Sequence, residues 1–429
     1  MTVPRSARTA PVHPTPVWAV ARKSLLLPAF WLVAVLLAVG GAQLLWVVRD
    51  AFTDYPRATT LAIVLFAVYA VPFWLFVGAL DYLEREPPLL LATAFAWGGL
   101  VATMAALPGN TALQNLLAKE YSPGFATAWG PAIAGATVEE AVRALGVVAI
   151  VLIAQAQINS ILDGVIYGAL VGLGFQVVED VVYAVNAVAI AGRGDEMGPV
   201  FATFFVRGFL AGLWSHTLFG ALAGFGIGYL IVRMDRPLRR RIGIGALALA
   251  GSWLCHFVWN SPLLTVEVDG DGYALIAVLL AKGIPPLLMI LLLVRSARHR
   301  EADYYTQLLA DLHDPDVATP RELRVLSMGH LRTNARRYAY GRAGLAGRQA
   351  VRRLQRAQAR LAVELSRADA TAAARWRTEV LHQRSRLRAL GHPEALAPDE
   401  RTGSLRRRLF FLAVILTGLF TACAALSLR

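Results

Sequence analysis

Long apolar runs separated by short polar segments dominate most of this chain. A helix needs roughly 20 apolar residues to cross a bilayer core of about 30 Å, and the runs over 30–48 and 61–80 reach that length. The pattern predicts an all-α fold, a polytopic transmembrane helical bundle with about eight core spans and a ninth, C-terminal span. The expected spans are residues 28–48, 59–80, 89–107, 131–154, 161–190, 200–232, 242–263, 273–294 and 409–426.

One of these runs is too long for a single span. Residues 200–232 would have to tilt, break near Gly212 or begin outside the bilayer. Arg207 lies close to the start of the run and favours the last option, because a charged side chain is costly in hydrocarbon.

A polar segment separates the eighth predicted span from the ninth. The sequence Thr319-Pro320-Arg321-Glu322 predicts a helix start, with threonine as the cap and glutamate reaching back to it. Further on, spacings of three and four residues predict a short coiled-coil-like seam, formed by Val351, Leu354, Gln358, Leu361, Leu365, Ala368 and Ala372. A helical hairpin packed on itself, an oligomerisation seam and a platform for nucleic acid or a protein partner all fit this pattern.

The distribution of basic residues predicts the orientation of the spans, since cytoplasmic loops carry an excess of Arg and Lys. Basic residues precede the first predicted span, follow the sixth and eighth, and precede the ninth. We therefore expect a multi-pass protein of the plasma membrane, the inner membrane of a bacterium, with a cytoplasmic N-terminus. The expected regions are an N-terminal tail (1–27), a membrane domain (28–294), a basic helical cytosolic domain (295–408) and a C-terminal span (409–429).

Composition narrows the class of protein. The 429 residues are 56% hydrophobic and 17% charged, which excludes a cytosolic enzyme and a secreted module built on disulfides. The net charge of +13 lies almost wholly in residues 295–408, where 24 arginines face 12 acidic residues. That segment lacks aromatic platforms for bases, so we expect no nucleic acid as a partner.

Several ionisable side chains fall within the predicted spans, where a charge costs about 3 kcal/mol or more. They and a nearby amide are Glu139, Glu140 and Arg143 in the fourth span, Glu179 in the fifth, His216 in the sixth, and His256 and Asn260 in the seventh. Glu139 and Glu140 are adjacent, and two carboxylates in an apolar helix need a cation such as Arg143 beside them. His256 and Asn260 are four residues apart and therefore share one helix face.

The acidic and histidine residues also fall at one depth. At 1.5 Å per residue, the residues in the fourth, fifth and seventh spans lie roughly 10–15 Å below the outer surface. His216 joins this level if its span begins just after Arg207. Scattered structural charges have no reason to converge, so we expect one polar site in the outer half of the bilayer. The five side chains should then meet in one cavity.

Such a set of side chains suits hydrolysis. A glutamate can take a proton from water, and an amide can donate to an oxyanion. Two histidines and a glutamate can hold zinc, which lowers the pKa of a bound water to about 7. Intramembrane Glu and His also form proton relays, so a proton-coupled transporter is an alternative. A non-catalytic membrane scaffold or signalling protein is another.

Four motifs lie in order on successive predicted spans. They are Glu139-Glu140-Ala141-Val142-Arg143, Phe175-Gln176-Val177-Val178-Glu179, a lone His216 ahead of a glycine-rich helix, and His256 with Asn260 four residues later. Together they resemble the PrsW-type intramembrane proteases, which are relatives of the CAAX prenyl proteases and the Abi enzymes. The likeness covers roughly residues 60–295, and Asp180 stands where the family pattern leads us to expect an amide.

The resemblance implies proteolysis of a membrane-anchored protein, such as an anti-sigma factor, in the lipid bilayer. By transfer, Glu139 or Glu140 activates the water, and Arg143 keeps one of the two ionised. Asn260 would stabilise the oxyanion. The implied metal ligands or water-positioning groups are Glu179, His216 and His256. Both a zinc-assisted and a metal-free glutamate mechanism stay open, no other cofactor is expected, and self-association would involve residues 295–408.

Overall fold

In this computed structural model, the chain is described over residues 25–80, 86–212, 215–263 and 272–397. Within these ranges the regular structure is helical, with no strand, which confirms the all-α prediction. The described residues up to 297 form one compact unit, and residues 298–397 form another. The predicted N-terminal tail and the predicted span at 409–426 lie outside the described residues, apart from the last three residues of the tail.

The helices of the first unit follow the predicted apolar runs. They are α1 (Pro28–Asp54), α2 (Pro56–Leu80), α3 (Pro88–Glu120), α4 (Pro123–Gly130), α5 (Ala136–Ala154), α6 (Ile161–Ala191), α7 (Gly198–Leu210), α8 (His216–Val232), α9 (Leu238–Asn260) and α10 (Gly272–Ala310), the last of which also contributes to the second unit. Among the described helices, six are long and apolar enough to cross a membrane: α1, α2, α3, α6, α9 and residues Ile276–Ala310 of α10. The chain is therefore a helical membrane bundle.

The predicted fourth and sixth spans differ from these six helices. The fourth is α5, which carries three charged residues and continues from a π-helical turn, Pro131–Gly135. The sixth is not one helix, because the helical run ends at Leu210 and a new helix begins at His216. Of the three options that the sequence offered for 200–232, the structure shows the break.

Helix α6 lies at the centre of the first unit, with most of its residues buried. A glycine ridge on α6 packs directly on a second glycine ridge on α8. A Cβ atom at Gly168 would overlap the carbonyl oxygen of Gly220, and one at Gly172 would overlap the carbonyl oxygen of His216. Small residues let helix backbones approach this closely. Because of this close approach, His216 lies directly against α6.

The second unit consists of helices outside the apolar runs. Part of α10 packs with α11 (Pro320–Ser327), α12 (Gly329–Ser366) and α13 (Ala370–Ala389). The predicted capping box is confirmed, because the Thr319 hydroxyl accepts from the backbone N–H of Glu322, and the Glu322 side chain accepts from the backbone N–H of Thr319. Glu322 is buried, and its carboxylate also pairs with the guanidinium of Arg384 at 2.6 Å.

The predicted seam is right in its first half and wrong in its second. Val351, Leu354 and Leu361 are buried in the core of the second unit, against other helices of the same chain. Helix α12 ends at Ser366, and Ala368 adopts a positive φ of 54°, so the seam cannot continue to Ala372. Helix α12 also bends sharply at Ala343 and Gly344, so that Arg336 on one side reaches Gln355 on the other. Hairpin-like packing within the chain accounts for this pattern.

Candidate active site

Four helices bring the predicted site residues together in the first unit. The contributions are Glu139, Glu140 and Arg143 from α5, Glu179 from α6, His216 from α8, and His256 and Asn260 from α9. All of them except the partly exposed Asn260 are buried. Residues that are far apart in the sequence thus meet in one cluster, as the depth argument led us to expect.

His216 is held between two carboxylates. Its Nε2 lies 2.9 Å from Glu179 Oε2, and its Nδ1 lies 4.0 Å from Glu139 Oε2. The same Nδ1 contacts an Nη atom of Arg143. The tautomer that satisfies these contacts donates from Nε2 to Glu179 and accepts at Nδ1 from Arg143.

His256 has a parallel arrangement on α9. Its Nδ1 lies 2.9 Å from Glu140 Oε1, and its Nε2 lies 3.7 Å from Glu139 Oε2. The Asn260 amide nitrogen lies 3.0 Å from Nε2 and also donates to the carbonyl oxygen of Pro131 at 3.2 Å. Donation from Nδ1 to Glu140 leaves the lone pair of Nε2 to accept from the Asn260 amide.

The two adjacent glutamates have different surroundings. Both oxygens of Glu140 have partners: Oε1 contacts Arg143 and His256, and Oε2 accepts from the Ser252 hydroxyl at 2.7 Å. Glu139 accepts through Oε1 from the Asn110 amide at 2.9 Å. Its other oxygen, Oε2, is buried without a hydrogen-bond partner. Of the two, Glu139 is therefore the one with an oxygen free for a further group.

Arg143 joins these groups from one side. It pairs with Glu140, lies 3.8 Å from Glu139 Oε2 and donates through Nε to the backbone carbonyl of Glu139 at 3.2 Å. Its guanidinium also lies over the ring of Phe175, 4.7 Å from the centroid. A buried guanidinium with carboxylate partners and an aromatic face is fixed in position, so Arg143 can hold the cluster together electrostatically.

The donor set fits a metal ion. One ligand atom each from Glu139, His216 and His256 can be chosen so that all lie within 4.8 Å of one another. Carboxylate oxygen and imidazole nitrogen are the ligands that catalytic zinc sites use. The other nitrogen of each histidine lies on a carboxylate, as is usual for imidazoles that bind metal. The predicted ligand Glu179 occupies one of these outer positions, on the far side of His216 from Glu139.

Two further observations support the fit. A Cβ atom at Gly135 would lie 3.3 Å from the Asn260 amide nitrogen and 3.4 Å from Glu139 Oε1, so a larger residue here would crowd the site. The cluster and its margin also contain more acid than base. The carboxylates of Glu139, Glu140, Glu179 and Asp180 face the guanidinium groups of Arg143 and Arg207. With all four carboxylates ionised, a divalent cation together with the two guanidinium groups would bring the total charge to zero.

Some polar residues at the site were not predicted from the sequence. Asn110 and Ser252 hold the two glutamates, and Arg207 contacts Glu179. Lys282 donates from Nζ to the carbonyl oxygens of Trp259 at 3.3 Å and Ser261 at 2.8 Å, on either side of Asn260. Lys282 offered a signal, because a charge in a predicted span is itself a functional hypothesis. Asn110 and Ser252 offered none, since uncharged polar residues are ordinary in helices.

Comparison with known proteins agrees with the geometry. Residues 86–284 match the family model described as PrsW family intramembrane metalloprotease. The matched segment contains every predicted site residue. No curated protein and no solved structure matches the chain.

Proposed function

We propose that this chain is an intramembrane protease of the PrsW family, whose model residues 86–284 match, and that Glu139 activates water for peptide-bond hydrolysis. One observation carries this assignment. Glu139 Oε2 is buried without a hydrogen-bond partner, 3.7 Å from His256 Nε2 and 4.0 Å from His216 Nδ1. A water molecule beside this oxygen could donate one O–H to a histidine nitrogen and lose its other proton to the carboxylate.

The neighbouring groups take supporting roles in this proposal. Glu140 and Glu179 orient His256 and His216 by accepting a ring N–H from each. Arg143 keeps Glu140 in place and balances its charge. The Asn260 amide nitrogen lies 3.0 Å from His256 Nε2, so it can donate to the oxyanion that develops when a bound peptide is attacked.

If a metal is part of the site, Glu139, His216 and His256 would hold it. Zinc, when bound, supplies a water of lowered pKa and a positive charge beside the scissile carbonyl. With or without the metal, Glu140 and Glu179 fix the two imidazoles; with it, Glu139 would serve as a ligand.

The natural substrate in this proposal is a membrane-anchored protein, such as an anti-sigma factor, cut within or next to its membrane segment. The burial of the cluster among membrane helices supports such a substrate, because a bond cleaved there must itself enter the bilayer. We further propose a plasma-membrane location with a cytoplasmic N-terminus. The basic residues 295–408 then form a cytosolic domain available for a regulatory partner or a second copy.

The test uses the full chain reconstituted in liposomes with tagged single-pass membrane proteins, anti-sigma factors included, as reporters. The wild type should cleave at least one reporter, and His256→Ala should lower the rate by two orders of magnitude or more, since it removes one of the groups that hold the water. Failure of the wild type on every reporter would contradict the substrate class. An undiminished rate in His256→Ala would contradict the site.

Metal dependence is tested with the same reporters. We expect a chelator to abolish cleavage and added zinc to restore it, because the donor set fits the ion. Cleavage that is unchanged after dialysis against the chelator would contradict the metal and assign the chemistry to Glu139 and water alone.

A further inference from the structure

Arg207 on α7 lies outside the predicted set of site residues, but its guanidinium group binds one of them, Glu179. Arg207 donates from Nη2 to Glu179 Oε2 and from Nε to Asp180 Oδ1, both at 2.6 Å. Its Cζ lies 3.8 Å from the centre of the Tyr183 ring, which is one turn further along α6 than Glu179. Two charged hydrogen bonds and an aromatic face fix the orientation of the guanidinium group.

The same carboxylate oxygen that accepts from Arg207 also accepts from His216. Glu179 Oε2 lies 2.6 Å from Arg207 Nη2 and 2.9 Å from His216 Nε2. Arg207 and His216 lie on opposite sides of the interruption between α7 and α8, which ends one helix at Leu210 and begins the next at His216. One oxygen atom on α6 therefore binds both chain segments that flank the interruption.

We propose that Arg207 is a positioning residue for hydrolysis: it fixes the Glu179 carboxylate, which in turn fixes the ring of His216. The inference rests on the proposed function of the site. Glu179 reaches His216 with one oxygen only, so the orientation of the carboxylate decides where the imidazole points. A displacement of about 1 Å at a reacting group can cost roughly a hundredfold in rate.

Asp180 explains why this position requires a guanidinium. Glu179 and Asp180 are adjacent on α6, and two carboxylates side by side in an apolar bundle repel each other. Arg207 has two donors in a fixed planar arrangement, one for each acid. Lysine supplies the same charge at a single point and cannot hold both carboxylates with the same geometry.

The primary test measures kcat and KM of Arg207→Gln, Arg207→Lys and wild type on a reporter that the wild type cleaves. We expect Arg207→Gln to lower kcat by about 10–100-fold with little change in KM, which is the usual size of an effect that acts through a neighbouring residue. Arg207→Lys should recover part of the loss. Arg193→Gln is the matched control, since Arg193 pairs with Glu196 at 3.2 Å in an exposed loop, and it should cleave like wild type.

A double-mutant cycle tests whether Arg207 acts through Glu179. If it does, Glu179→Gln with Arg207→Gln should be no slower than Glu179→Gln alone, because the second change removes support for a group already lost. Effects that multiply would overturn the proposal. Arg207→Ala offers a further readout: free guanidinium ion bound at the vacated position, beside Glu179 and Asp180, should restore part of kcat.

The outcomes separate this proposal from the one on which it rests. An inactive Glu139→Gln together with a fully active Arg207→Gln would overturn the role of Arg207 and leave the protease assignment intact. A fully active Glu139→Gln would contradict the assignment itself. A loss in Arg207→Gln that follows a fall in thermal stability, with no rescue of Arg207→Ala by guanidinium, would show a role in folding and overturn the proposal.

Discussion

At the scale of single residues, the chemistry depends on which atoms lack a partner. Glu139 and Glu140 are equivalent in the sequence, and neither motif nor spacing separates them. The structure separates them through their neighbours. The Glu140 carboxylate contacts Ser252, Arg143 and His256, whereas Oε2 of Glu139 has no hydrogen-bond partner. Adjacent residues on a helix point in different directions. Partners supplied by other helices are a tertiary property, which one sequence does not contain.

The space at Gly135 gives a prediction at this scale. Gly135→Ala should lower the cleavage rate by about tenfold, because a methyl group 3.3 Å from the Asn260 amide and 3.4 Å from Glu139 Oε1 displaces either group by a few tenths of an ångström. Rates on a reporter in liposomes check this. Gly78→Ala is the control, since a Cβ there meets nothing within 4 Å and should leave the rate unchanged. Equal rates for Gly135→Ala and wild type would contradict the crowded site.

At the scale of helices, apolar runs predicted most of the fold, and ionisable residues within them predicted most of the site. The weak points were helix ends. For the run over 200–232 the sequence offered a break near Gly212 as one of three options, and Arg207 favoured a different one, yet the helical run ends at Leu210 and resumes at His216. The seam past Leu365 fails for a similar reason, since Ala368 and Ala372 continue the spacing although α12 ends at Ser366. Where a helix stops is decided by the surfaces available for packing, which local pattern does not report.

Lys282 gives a prediction about the end of one helix. Helix α9 ends at Asn260, and the ammonium group of Lys282 binds the carbonyl oxygens of Trp259 and Ser261 beside it. Lys282→Met should reduce the free energy of unfolding by about 1–3 kcal/mol, since it leaves these carbonyls without their charged donor. It should also lower kcat, because Asn260 loses its fixed position. Thermal unfolding in detergent and reporter cleavage measure the two effects, and a variant unchanged in both would contradict this role.

At the scale of the whole molecule, charge divides the chain as the sequence predicted. The excess of arginine falls in the second unit, where the surface carries most of it, but Arg384 is buried and serves the core. Its guanidinium binds both oxygens of Glu322, which also accepts from the backbone N–H of Ala395 at 2.8 Å. Counting arginines gave the net charge correctly. The net charge could not show that Arg384 is buried in the second unit and paired there with Glu322.

This pair gives a prediction about the stability of the second unit. Arg384→Met should destabilise it by about 3–5 kcal/mol, because Glu322 would be left buried without its counter-charge. Arg388→Met is the matched control: Arg388 forms an exposed pair with Asp316 at 2.6 Å, which is worth about 0–1 kcal/mol. Limited proteolysis of the full chain between α10 and α13 reports the difference. Equal protease resistance in the two variants would contradict the buried pair.

The most direct test of the account compares Glu139→Gln with Glu140→Gln in single-turnover cleavage of one reporter, where product release does not limit the rate. Loss of the water-activating carboxylate should slow Glu139→Gln by about 10²–10⁴-fold. Glu140→Gln loses only support for His256 and should slow by about 10–100-fold. We therefore expect Glu139→Gln to be the slower of the two variants. A slower Glu140→Gln, or a Glu139→Gln as fast as wild type, would contradict it.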